Sequence, residues 1–93
     1  PQIFSLAQSF PNPFNPTATI RYQIPKAVHV ELTIFNLLGQ KVITLVNETQ
    51  HAGQYEVRWS GRNTANVSVA SSVYFYRLSA GTFTSQKKML LLK

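Results

Sequence analysis

From Thr19 to Ile24 the side chains alternate without a fault: Ile20, Tyr22 and Ile24 are apolar, while Thr19, Arg21 and Gln23 are polar. A period of two puts every second side chain on the same face of a pleated strand, and no helix can use it. The pattern returns along the chain. Val28, Val30, Leu32 and Ile34 alternate with His29, Glu31 and Thr33, and Tyr55, Val57 and Trp59 with Gln54, Glu56 and Arg58, while Tyr74, Tyr76 and Leu78 share another face. No helix of useful length is readable. Strands are expected over 18–24, 28–36, 41–47, 54–59, 73–79 and 83–92, after an irregular edge strand over 3–9. Val67 and Val69 are a candidate for a short extra strand. Pro25 ends one run, and "NLLGQ" (36–40) is a hairpin turn in which Gly39 takes positive φ. A polar loop is expected from Asn47 to Gly53, and "AGT" (80–82) makes the last tight turn. About seven strands suit an all-β antiparallel β-sandwich of two packed sheets.

The stretch "FPNPFNP" (10–16) breaks this regularity. Pro11, Pro13 and Pro16 remove backbone donors, and Asn12 and Asn15 favour turns, so it is neither helix nor central strand. It is expected to be an ordered lead-in to the first full strand. Phe10 and Phe14 would anchor it to the sandwich edge, and its prolines would blunt that edge against unwanted pairing.

The chain of 93 residues is enough for one small domain, 1–93, with one modest core. It has no cysteine, so disulfides and thiolate metal sites are excluded. No apolar run approaches the length of a membrane-spanning helix, and "PQIFSLAQ" lacks the sections of a signal peptide. The net charge is +6, nine Lys and Arg against Glu31, Glu48 and Glu56. The cations are scattered, which argues against a nucleic-acid partner. Attraction to an acidic surface such as anionic lipopolysaccharide or membrane headgroups needs no such clustering.

Catalytic constellations are absent from the sequence. With no aspartate there is no Ser-His-Asp triad, and three dispersed glutamates make a poor carboxylate pair. His29 and Glu31 share a predicted strand face, where a solvated surface outweighs a metal or catalytic pair. Phosphate loops, dinucleotide fingerprints and calcium loops are missing, so no enzyme activity, metal or cofactor is expected. Tyr22, Tyr55, Trp59, Tyr74 and Tyr76 would suit a sugar-stacking platform, but their strand phase favours core filling. Phe35 and Phe75 fall on the other phase and would mark a contact surface if exposed. The closing "KKMLLLK" reads equally as a last strand whose charges discourage aggregation or as an exposed end that another protein captures by strand addition or through its terminal carboxylate.

Several of these segments together resemble a known family. "PQIFSLAQSFPNPFNPTATIRYQIP", "VELTIFNLLGQKVITLV", "AGQYEVRW", "SVYFYRLSAG" and "KKMLLLK" follow the order and spacing of the C-terminal sorting domain of type IX secretion cargo, from Pro1 to Lys93. The chain is also similar to the immunoglobulin-like domain of flagellar hook-capping proteins. The resemblance implies an immunoglobulin-like sandwich that directs a passenger, absent from this chain, through the periplasm to the bacterial surface. It implies as partners the type IX machinery and a sortase-like surface peptidase, which joins passengers to anionic lipopolysaccharide. It places recognition on Lys87, Lys88, Met89, Leu90, Leu91, Leu92 and Lys93. Some positions depart from the family pattern. Ser60-Gly61 stands where Asp-Gly is common, Ser71-Ser72 replaces Ser-Gly, and "RNTANVSV" lacks the carboxylates that a loop calcium would need. Asn66 partly replaces the lost positive-φ freedom.

Two other readings stay open at this level. One is a carbohydrate-binding or adhesive accessory module, and the other is a surface subunit that self-associates through open sheet edges.

Overall fold

A computed structural model describes residues 2–93; Pro1, with which the family resemblance begins, lies outside them. The strands are β1 (Ser5–Leu6), β2 (Ala18–Ile24), β3 (Val28–Phe35), β4 (Lys41–Gln50), β5 (Gly53–Trp59), β6 (Ser72–Ala80) and β7 (Phe83–Leu91). They form two antiparallel sheets, one ordered β1-β2-β5 and the other β4-β3-β6-β7. This is the all-β sandwich that the alternation demands. The molecule measures 37 × 23 × 20 Å.

The alternating residues become the core. Ile20, Tyr22 and Ile24 from β2 face Val30, Leu32 and Ile34 from β3 and Tyr74, Tyr76 and Leu78 from β6, all buried. Trp59 closes one end of this core. Its ring lies 5.6 Å from Phe14 and 5.1 Å, edge-on, from Tyr74, and its indole N–H donates to the Arg62 carbonyl at 2.9 Å. The Tyr74 hydroxyl reaches back four residues to the Ala70 carbonyl at 2.6 Å. That bond is the tyrosine corner of immunoglobulin-type sandwiches, which fixes the crossover between sheets. Of the five aromatics weighed as a sugar platform, Tyr22, Trp59, Tyr74 and Tyr76 are buried, and Tyr55 is half-buried with its ring stacked 5.3 Å from Tyr22. They fill the core.

Four expectations need correction. The first strand is two residues long rather than spanning 3–9, because only Ser5 and Leu6 pair with β2. Val67 and Val69 form no strand; the loop there has a single bridge, Arg62 to Ser68. β4 runs on to Gln50, since Asn47 to Gln50 pair with Val28 to Glu31 where a polar loop was expected. Thr33 is buried, with its hydroxyl 3.5 Å from that of Thr44. The β3–β4 register slips between Leu32 and Thr33 and again between Ile34 and Phe35, leaving Leu45 and Val42 as extra residues. Each bulge shifts the in-out phase of β4, so its alternation is lost although its pairing continues.

Candidate recognition surface

β7 is an edge strand of the four-stranded sheet, and it carries the proposed recognition residues. Its pleat sorts them. Met89 and Leu91 point into the core and are buried. Lys88 stands exposed on the outer face opposite Phe75, with Leu90 half-buried opposite Val73. Lys87 is half-buried opposite Tyr76. Beyond the strand, Leu92 and Lys93 are exposed, and the Lys93 amide donates to the Ser71 hydroxyl at 3.0 Å. The seven residues therefore do not form one surface. Lys88, Leu92 and Lys93 are the members most open to a partner.

The backbone of this strand is not open. The proline-rich lead-in covers its outer edge. Phe10 and Thr19 exchange both backbone hydrogen bonds, at 3.0 and 2.8 Å, and so close a loop rooted on β2. The tip of that loop crosses to the other sheet. Phe14 N–H donates to the Leu90 carbonyl at 2.9 Å, and Leu92 N–H donates to the Phe14 carbonyl at 3.1 Å, a parallel bridge between Phe14 and Leu91. The Asn12 side chain accepts from Leu90 N–H at 2.9 Å, and the Gln8 amide donates to the Lys88 carbonyl at 2.9 Å. The expectation that this end offers an edge for strand addition fails on these bonds: from Lys88 to Leu92 the edge is already paired.

Local sequence explains why the loop sits there. Pro11, Pro13 and Pro16 have no N–H to satisfy, so the loop can turn away from β2 and aim its remaining groups at β7 without leaving those donors unpaired. Phe14 is buried against Trp59, as its anchoring role required. Phe10 is less deeply held: it is 42% exposed, with the Arg21 guanidinium 4.7 Å above its ring. The Tyr76 hydroxyl straps the segment just before the loop, accepting from Ser9 N–H and donating to the Ala7 carbonyl, both at 2.8 Å. Burial pushes the pKa of this phenol up, against the lowering effect of the Ser9 bond. Gly61 packs on the core side, where a Cβ would make ordinary contacts of 3.4 Å with Leu91 and 3.5 Å with the Pro16 carbonyl. Its φ of +73° favours glycine.

Phe35 and Phe75 pair across β3 and β6 on the outer face, half-buried, with the Arg77 guanidinium 4.4 Å above Phe35. They are covered more than a bare contact patch would be. His29 bonds to Asn47 at 2.7 Å, and no three His, Asp or Glu side chains converge among the described residues. Asn12 and Gln8 were missed as edge partners of β7. Their contacts span most of the chain, and only the oddity of the proline run hinted at a special task.

An immunoglobulin-like sandwich whose N-terminal loop seals its C-terminal strand defines a compact non-membrane-helical module; no helix among the described residues is long and apolar enough to cross a bilayer. Residues 8–92 match the secretion system C-terminal sorting domain, and the chain belongs to that family. It is thus a sorting domain of the type IX secretion system, acts with that machinery, and belongs to secreted or cell-surface proteins. The fold is also similar to part of dimeric latent PorU from Porphyromonas gingivalis (TM-score 0.76, 21% identity over 99% of this chain and 9% of that one). A second likeness is to PorZ, a surface component of the type IX secretion system of the same organism (TM-score 0.65, 19% identity, 92% of this chain and 11% of that one). The chain thus spans about a tenth of either protein, and at these identities the likeness concerns the fold. No curated protein matches the chain.

Proposed function

We propose that the domain is a non-catalytic address, read in its folded form through the side chains of the Lys87–Lys93 segment. The observation that carries this is the state of β7: its backbone edge is paired while Lys88, Leu92 and Lys93 remain exposed. Strand addition would first have to displace the Phe14 loop, whereas recognition of the cations and Leu92 needs no rearrangement. The passenger would precede the domain. The machinery and a sortase-like surface peptidase would be its partners, and the +6 charge supports attraction to anionic lipopolysaccharide. Sealing of β7 removes one edge from self-association, while β4 and β5 keep outer edges on which, among the described residues, no other strand pairs.

The test is a reporter fused ahead of the domain in a type IX host. Deleting Lys88–Lys93 should leave the reporter in the periplasm. Unchanged secretion would overturn the proposal.

A further inference from the structure

Six large apolar side chains are exposed among the described residues, and apart from Ile3 and Phe10 they gather at one end. Leu37, Leu38, Val67 and Leu92 are 62, 82, 57 and 48% exposed. All four lie at one end of the sandwich, where β3, β5 and β7 finish and β4 and β6 begin. Single exposed leucines are ordinary, but their convergence at one end is not.

Two loops of the same design hold this end. In Asn36–Gln40 the Asn36 side-chain oxygen accepts from the amides of Leu38 and Gln40 at 2.9 and 3.0 Å. Asn36 N–H donates to the Gln40 carbonyl, and Gly39 N–H to the Asn36 carbonyl, both at 3.0 Å. The loop 63–67 repeats these four bonds. The Asn63 side chain accepts from Ala65 and Val67, each at 3.0 Å. Asn63 N–H donates to Val67 at 3.0 Å and Asn66 N–H to Asn63 at 2.9 Å. Gly39 at φ +78° and Asn66 at φ +63° occupy matching positions. An asparagine that captures two amides holds such a turn in shape. Tying those amides internally also lowers the cost of moving the tips into a less polar medium.

The twin turns stand side by side. The backbone and side chain of Thr64 both donate to the Val42 carbonyl, each at 3.2 Å. Between them runs a shallow cleft of about 560 Å³, lined by Asn36, Gln40, Lys41, Asn63 and Thr64 among others. Lys41, Arg62 and Lys93 are exposed at the same end. The acidic residues are elsewhere: Glu31 and Glu48 belong to the opposite halves of β3 and β4, and Glu56 pairs with Arg21 in the middle of β5.

We infer that this end docks on an anionic lipid surface, with Leu37 and Leu38 entering the headgroup boundary and Lys41, Arg62 and Lys93 meeting its negative charge. Protruding apolar tips ringed by cations fit a deformable anionic interface, where apolar insertion and charge attraction add. The inference gives a place to the surface attraction proposed above. It shares Lys93 with the proposed export signal, but the variants below leave that segment intact, so either can fail alone.

Flotation of the chain with vesicles tests it. The protein should bind phosphatidylglycerol–phosphatidylcholine vesicles and not pure phosphatidylcholine vesicles. L37S/L38S and, separately, K41E should each weaken binding by about tenfold. I3S removes an exposed apolar side chain near the far end of β2, where Gln23 bonds to the Ile3 carbonyl, and should change nothing. Absence of binding to anionic vesicles, equal binding to neutral ones, undiminished binding by L37S/L38S, or an equal loss in I3S would each overturn the inference.

Discussion

Tyr22 shows how one side chain can link the two sheets and set a pH limit. Its ring stacks on Tyr55 within the smaller sheet, while its hydroxyl donates to Gln50 of β4 at 2.6 Å. Burial pushes its pKa up to about 12, helped by the nearby Tyr55 and Glu48 and opposed by the Gln50 bond. An unfolded tyrosine ionises near pH 10, so the folded state holds the proton more tightly. The resulting stabilisation is complete below about pH 10 and is lost as pH rises towards about 12. Tyr74 and Tyr76 are raised by burial too, so they act in the same direction. Denaturant midpoints measured from pH 8 upwards should hold steady and then fall over that window. Tyr22→Phe should flatten part of the fall and cost about 1 kcal/mol at neutral pH for the lost hydrogen bond. A variant as steeply alkali-sensitive as the parent would contradict this assignment.

At the scale of elements, the Phe10–Thr19 loop and β7 form one unit. Phe14→Ala should lower stability by about 3–5 kcal/mol, since it opens a hole beside Trp59. Asn12→Ala removes the acceptor for Leu90 N–H and should cost only about 1 kcal/mol. Its clearer effect should be local: hydrogen exchange at the Leu90 amide should accelerate while amides in β3 stay protected. No change at Leu90 would mean that the side chain does not seal the edge in solution. This sealing was hard to foresee. The inward faces of β2, β3, β5 and β6 were legible because intact strands transmit a period-two pattern directly. β4 was misread at its end because the polar residues from Asn47 to Gln50 gave no apolar alternation to follow, while the two bulges reset its phase earlier, at Val42 and Leu45. The anchoring of Phe14 was readable from its place among prolines. Its partner was not, because contacts between positions 12–14 and 90–92 leave no periodic trace in the sequence.

Across the whole molecule, the family match makes this a sorting domain, and the seven residues proposed for recognition are split between core and surface. Of the seven terminal residues, the sequence treated all as one signal, but Met89 and Leu91 belong to the core. Removing Lys88–Lys93 would therefore damage the fold as well as the address. A side-chain variant separates the two. Lys88→Ala with Lys93→Ala touches only exposed cations and should leave the melting temperature within a few degrees, as surface changes usually do. The most direct measurement is the exported fraction of a reporter fused to the intact domain, compared with the same fusion carrying this double substitution, in a type IX host. The account predicts export by the intact domain and periplasmic retention of the equally stable variant. Retention of both, or equal export of both, would contradict it.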